Sequence, residues 1–166
     1  MRLSKDYLSG RGYCKSEALP NSSSAHHPRS SLGDPAEGIS WIEDGIEDYR
    51  TTGSAPPPYL LALKAEALHF ADRTSEALEA INEAEALAKR FEHRSVLSGM
   101  HRLRGVFFAA LGADEIQIEA SFCESIRIAR EQKSVSLAKR AEASYAEYRR
   151  QKASGSGGHG FRLPLW

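Results

Sequence analysis

The sequence predicts an all-α fold, an α-solenoid of antiparallel helix pairs with about six helices. Six segments of the 166-residue chain place apolar residues at helical spacing, and none shows the sustained alternation of a strand. Only a few residues connect these segments, which predicts that neighbouring helices form antiparallel hairpins. Alternate segments carry matching residues at a period near 40, which is typical of stacked helix pairs.

The helical domain is predicted to cover residues 34–151. Asp34 is a suitable N-cap, Pro35 suits the first helical position, and Glu37 can complete a capping box. Residues 1–33 are rich in Ser, Gly, His and Pro and are expected to be a disordered N-terminal segment. Residues 152–166 return to Gly and Ser and are expected to be a flexible C-terminal tail.

Turn and cap residues delimit the six predicted helices. The first ends at Thr52-Gly53, because the prolines at 56–58 cannot continue a helix. The fourth ends at Gly112, and the fifth follows Asp114 as its N-cap. The other predicted helices span about residues 36–51, 58–71, 75–91, 95–111 and 135–151, and the fifth includes Ile118, Phe122, Ile126 and Ala129.

The repeat has two alternating helix types. The first, third and fifth helices share a small–large–small pattern around Ile42, Ile81 and Phe122, at separations of 39 and 41. The second, fourth and sixth share a basic residue before a small one, at separations of 40 and 36: Lys64-Ala65, Arg104-Gly105 and Arg140-Ala141. Small residues let two helix backbones approach, and the large residue fills the gap between them.

These helices resemble tetratricopeptide repeats. In that family the first helix of a repeat has a small residue near its middle, matched by Ala65 and Gly105, and the second has a small–large–small series, matched by Ala77, Ile81 and Ala84. The segments GISWIEDGIEDYRTTGS, YLLALKAEAL, MHRLRGVFFAALGA and SIRIAREQKSVSLAKRAE look like the C-terminal repeat region of large bacterial signalling proteins. Those proteins join a class III adenylate/guanylate cyclase or a LuxR-type DNA-binding domain to an AAA-type ATPase and then to the repeats.

The resemblance implies a cytoplasmic protein–protein interaction or regulatory module, the C-terminal fragment of a larger cyclase/ATPase signalling protein. Its partner would be a protein, a peptide, or the adjacent ATPase or cyclase domains. The first helix lacks a hairpin partner, so we expect the chain to begin mid-repeat and to be able to form a homodimer. Two alternatives stay open: a repeat domain that senses a small anionic ligand, and a cyclase relative by ancestry without its own catalytic domain.

The sequence carries no catalytic, cofactor-binding or metal-binding motif, so no enzyme activity is expected. It has no glycine-rich loop followed by Lys-Ser/Thr, and its six histidines form no ligand set. The separated cysteines Cys14 and Cys123 fit a reducing compartment. No apolar run approaches the roughly 20 residues that cross a bilayer, and no recognition-helix motif indicates nucleic acid.

Charge and aromatic residues supply the candidate binding groups. Lys64, Arg104 and Arg140 are predicted to form a basic ladder for an acidic peptide or anionic ligand. The alternative is that each pairs with glutamates of a neighbouring helix, such as Glu66, Glu76 or Glu142. Most aromatic residues follow the core spacing, and Trp41 and Phe108 are the candidates for exposed contacts. Residues 34–94 have a net charge of −7 and residues 95–166 of +4, which would orient a charged partner.

Overall fold

A computed structural model describes residues 35–154, which form six consecutive α-helices. They are α1 (Pro35–Thr51), α2 (Pro58–Phe70), α3 (Thr74–Arg90), α4 (Arg94–Leu111), α5 (Glu115–Glu131) and α6 (Val135–Ala153). No strand occurs within this range, so the predicted all-α class is confirmed. The predicted segment 1–33 lies outside the described residues, as does the predicted tail from residue 155 onward. Helix α6 continues to Ala153, two residues beyond its predicted end.

Each connection closes with the same backbone motif. A residue with positive φ follows the helix, and the next N–H bonds the carbonyl five positions back, as in Ala113 N to Phe108 O at 3.0 Å. The positive-φ residues are Gly53, Asp72, Glu92, Gly112 and Lys133. Asp114 caps α5 as predicted, because its carboxylate accepts from the Ile116 N–H at 3.4 Å.

The helices pack in two rows. Every helix contacts its neighbours in the chain, and α4 also contacts both α2 and α6. Helices α2, α4 and α6 therefore form one row, and α1, α3 and α5 form the other. Within the second row the backbones stay apart, and Arg50 of α1 reaches Glu83 of α3 with a hydrogen bond of 3.2 Å. This arrangement makes α2–α3 and α4–α5 two complete hairpins, with α1 before them and α6 after them.

The predicted small–large–small pattern forms the core between the hairpin helices. Ile81 and Phe122 are completely buried, and the small residues around Ile81, Ala77 and Ala84, are buried with it. Gly105 lies against Phe122 so closely that an added Cβ would be 3.0 Å from the ring. The absence of a side chain at Gly105 is what lets α4 and α5 approach at this point.

Candidate binding groove between α2, α4 and α6

The row of α2, α4 and α6 forms a groove of about 330 Å³. Its walls are mostly apolar and include Tyr59 and Leu63 of α2, Val96 and Leu103 of α4, and Leu137 of α6. Tyr59 and Leu63 are 55% and 47% exposed, large values for side chains of their size and polarity. The groove therefore offers uncovered apolar surface within reach of three helices.

Three charged side chains, one from each helix, also line the groove. Arg102 of α4 is buried and donates from Nη2 to Oε1 of Glu66 on α2 at 3.2 Å. Burial and the positive charge of Arg140 on α6 lower the pKa of Arg102, and the Glu66 carboxylate opposes this shift. A guanidinium stays protonated in proteins, so two positive charges face one negative charge here.

Arg140 is the exposed cation of this set. It lines the groove beside Leu137 and makes no ion pair with any residue in the range 35–154. Because the Glu66 carboxylate already pairs with Arg102, the Arg140 guanidinium remains available to an anion that enters the groove.

The predicted ladder of Lys64, Arg104 and Arg140 does not form. Lys64 Nζ pairs with Oε1 of Glu43 on α1 at 2.8 Å. Arg104 Nη2 donates to Oδ1 of Asn82 on α3 at 2.8 Å and contacts the Glu85 carboxylate. Neither lines the groove, and the alternative of pairing with a neighbouring helix holds for both, with Glu43 and Glu85 as the partners.

The predicted alignment of α6 with α4, which matched Arg140 to Arg104 at a separation of 36, is also wrong. The spacing of 41 that relates Ile81 to Phe122 leads from Arg104 to Tyr145, not to Arg140. Tyr145 stacks on Phe122 at 5.5 Å and donates to the Glu119 carboxylate at 2.9 Å, so it packs on α5 where Arg104 packs on α3. The same spacing relates Arg140 to Gly99, and both of these residues line the groove.

The two aromatic candidates lie outside the groove lining. Trp41 is 69% exposed on α1, which contributes no residue to the groove. Phe108 is half-buried and packs against the hydrophobic core. Sequence reasoning missed Arg102, although its spacing from Ser95 and Gly99 places the three residues on one face of α4.

A second charged cluster joins α3 to α4. Glu85 is buried and pairs with Lys89 at 2.6 Å and with Arg104, and the imidazole of His101 lies 3.9 Å away. Burial tends to raise the pKa of Glu85, but hydrogen bonds from Lys89 and Arg104 outweigh it and lower that pKa. Burial also lowers the pKa of His101. The carboxylate is paired with cations of its own chain, so this cluster is an internal link between helices.

Metal and membrane chemistry find no support in the described part of the chain. Residues 35–154 contain no group of three or more His, Cys, Asp or Glu side chains arranged to hold a metal ion. No helix in this range combines the length and apolar composition needed to span a bilayer. The exposed thiol of Cys123 is unpaired within the same range.

No protein-family model, curated protein or solved structure matches the chain. The groove combines apolar walls with one guanidinium that lacks a counter-charge among residues 35–154. This combination suits a mostly apolar ligand that carries a carboxylate or phosphate.

Proposed function

We propose that this protein is a helical-repeat interaction module that binds a protein or peptide segment in the groove of α2, α4 and α6. The segment is apolar and carries at least one acidic side chain. The observation that carries the proposal is Arg140, an exposed guanidinium beside apolar groove walls with no ion pair in the described residues.

The apolar walls supply the favourable free energy of binding. Tyr59 and Leu63 are exposed on α2, and Leu103 and Met100 of α4 form the buried floor beside them. Covering about 100 Å² of such surface would contribute about 2.5 kcal/mol before the entropic cost of ordering the segment. A short helical or extended segment would place two or three apolar side chains on this surface.

The charges select the segment. Arg102 and Arg140 outnumber Glu66 in the groove, so an acidic side chain is attracted and a basic one is repelled. The Glu66 carboxylate is hydrogen-bonded to Arg102, so Arg140 is the residue that would pair with the acidic side chain of the segment. We therefore expect specificity for acidic segments to depend on one side chain.

The setting of the module is proposed from the sequence resemblance. In that proposal the repeats regulate a cyclase/ATPase signalling protein, and an adjacent ATPase or cyclase domain is one source of the bound segment. A chain derived from a cyclase ancestor, without its own catalytic domain, would use the groove in the same way.

Selection from a random peptide display library on the full chain tests this function. Enriched peptides should combine apolar residues with at least one Asp or Glu, and Arg140→Gln should weaken their binding about tenfold, equivalent to about 1.4 kcal/mol. Leu63→Glu should abolish binding. Arg149→Gln, an exposed arginine of α6 outside the groove, is the matched control and should bind normally. Failure to enrich any peptide, or enriched peptides that ignore Arg140→Gln, would sink the proposal.

A second candidate function is a sensor for a small anion. The groove volume of about 330 Å³ and the enclosed Arg102 favour it, because this volume lies in the lower range of small-molecule sites. Phosphate, carboxylate and nucleotide ligands can be screened by the thermal midpoint of unfolding. A small anion that raises the midpoint of the natural chain but not of Arg140→Gln would favour the sensor over the peptide-binding module.

A further inference from the structure

In α3 and in α5, the helix face that packs inside the complete hairpin is almost fully buried. In α5 this face meets α4 through Phe122 and Ser125, and α3 carries the equivalent residues 41 positions earlier. None of the residues of this face is more than 7% exposed: Ala77, Ala80, Ile81, Ala84 and Ala88 in α3, and Ile118, Ser121, Phe122, Ser125 and Ala129 in α5.

The equivalent face of α1 is open. Trp41 is 69% exposed, whereas Ala80, at the same repeat position 39 residues later, is 7% exposed. Tyr49 is 39% exposed, whereas its equivalent Ala88 is fully buried. A Cβ added at Gly38 would meet nothing within 4 Å. Ile42, at the position of Ile81, still packs against the core, so the described helices leave uncovered the part of this face that carries Trp41 and Tyr49.

Helix α6 presents the complementary open face. Three residues of α4 mark the face that meets α5. The Arg94 carbonyl accepts a hydrogen bond from Gln132, which directly follows α5. Ser98 donates a hydrogen bond to the Ser125 carbonyl, and Gly105 lies against Phe122. The residues 41 positions later are Val135, Lys139 and Ala146, and all three are exposed. Ala146 therefore corresponds to the buried Gly105, but no second-row helix of the described range lies against it.

The two open faces are complementary in repeat position, and the helices that carry them are opposite in net charge. Helix α1 contains five acidic residues and one basic residue, a net charge of −4. Helix α6 contains five basic and two acidic residues, a net charge of +3. Small residues stand on both faces, which permits close approach: Ala146 on α6, and Gly45 on α1, where an added Cβ would lie 3.9 Å from Leu60 of α2.

We propose that a second copy of this chain covers these faces, with α6 of one copy docked on α1 of the next. The contact reproduces the α2–α3 and α4–α5 hairpins and continues both rows from copy to copy. It is head-to-tail, so it forms open chains unless the rotation closes a ring. A second copy accounts for both open faces. The groove residues take no part in this contact, so the proposal does not depend on the proposed function.

Sedimentation velocity of the full chain over a wide range of concentrations tests the contact. At low salt the mass should rise with concentration from 18.3 kDa to at least twice that value, and high salt should reverse the rise. Gly45→Arg should block the α1 face and Ala146→Arg the α6 face, so that each variant alone stays monomeric. Ala120→Arg, at an exposed alanine of α5, is the matched control and should associate like the natural chain.

Mixing the two blocked variants gives the decisive result. Each keeps one intact face, so the mixture should form a 1:1 complex of twice the chain mass and nothing larger. A natural chain that stays monomeric at every concentration, a mixture that does not associate, or an Ala146→Arg variant that still dimerises would overturn the proposal. If circular dichroism shows that Gly45→Arg unfolds α1, Trp41→Lys replaces it, because that side chain is mostly exposed.

Discussion

The hydroxyls of Ser98 and Ser125 each donate a hydrogen bond to the backbone carbonyl of the other residue, across the contact of α4 and α5. The distances are 3.0 Å from Ser98 Oγ and 2.7 Å from Ser125 Oγ, and both residues are at most 1% exposed. At the position of Ser125, α3 has Ala84. The second hairpin therefore joins its helices with a reciprocal polar contact where the first uses an apolar one.

Removing either hydroxyl should lower the free energy of unfolding by about 1 kcal/mol. The two carbonyl groups keep their helical hydrogen bonds, so neither Ser98→Ala nor Ser125→Ala leaves a buried acceptor without a partner. The hydroxyls also lie 3.3 Å apart, so the double variant should lose less than the sum of the single losses. Urea unfolding measures all three, with the exposed Ser136→Ala as the control. Strictly additive losses would contradict a coupled contact.

Gly105 and Gly99 should respond in opposite ways to substitution by alanine. A Cβ at Gly105 would lie 3.0 Å from the ring of Phe122, and that ring is held between Gly105 and Tyr145. Gly105→Ala should therefore destabilise the protein by about 1–3 kcal/mol, as overpacking does. A Cβ at Gly99 meets nothing within 4 Å, so Gly99→Ala should stabilise α4 by about 0.5–1 kcal/mol.

The same unfolding experiment compares the two glycine variants directly. They share one helix and one chemical change, so helix propensity cancels between them. Equal effects of the two substitutions would mean that the approach of α4 to Phe122 leaves room for a Cβ at position 105.

Local patterns predicted the helices, but the groove depends on how the helices stack. Gly112 and Asp114 carry their own turn and cap signals, so the α4–α5 connection could be read from neighbouring residues. The basic–small pair at Arg140-Ala141 matched Arg104-Gly105 in composition, yet the register of α6 follows the packing of Tyr145 on Phe122. A shift of five residues turns a helical side chain by about 140°, which moves Arg140 into the groove.

Arg102 was missed for a related reason. It directly precedes the buried Leu103, so its position along the apolar pattern resembles the core. Its ion pair with Glu66 joins α4 to α2, two helices that are not consecutive in the chain. The spacing of apolar residues within one helix does not predict a contact between two helices that are not consecutive.

The Arg102–Glu66 pair should respond asymmetrically to neutralisation. Glu66→Gln leaves the buried guanidinium of Arg102 beside Arg140 without a carboxylate, and should cost about 1–3 kcal/mol of stability. Arg102→Met removes the buried charge and keeps much of the side-chain volume, so it should be nearly neutral or stabilising. Chemical denaturation measures both, and a larger loss for Arg102→Met than for Glu66→Gln would contradict this account of the pair.

His101 should make stability depend on pH near neutrality. Burial lowers the pKa of His101 in the folded protein, although the Glu85 carboxylate opposes this shift. A histidine with a lowered folded pKa contributes stability that is complete above its unfolded value, about 6.5, and is lost as the pH falls below it. The natural chain should therefore lose stability as the pH falls below about 6.5, and His101→Gln should lose less.

Urea midpoints at several pH values separate His101 from Glu85. The lowered pKa of Glu85 makes its contribution decline only when the pH falls below the ordinary carboxyl range, about 4.5, so its loss begins well below the pH at which the His101 loss begins. His93→Gln, at an exposed histidine, is the control and should keep the natural pH dependence. If His101→Gln shows the same pH dependence as the natural chain, another group is responsible for it.

The repeated turn motif makes opposite predictions for Glu92 and Gly112. Both residues follow a helix with positive φ, 55° and 68°, but only glycine adopts this conformation without steric cost. Glu92→Gly should therefore stabilise the protein by up to about 1 kcal/mol, because relief of strain exceeds the added entropy of the unfolded chain. Gly112→Ala should destabilise it by about 1 kcal/mol or more for the converse reason. Thermal and urea unfolding of both variants check the signs, and a loss of stability in Glu92→Gly would show that the Glu92 side chain stabilises its turn by more than the strain costs.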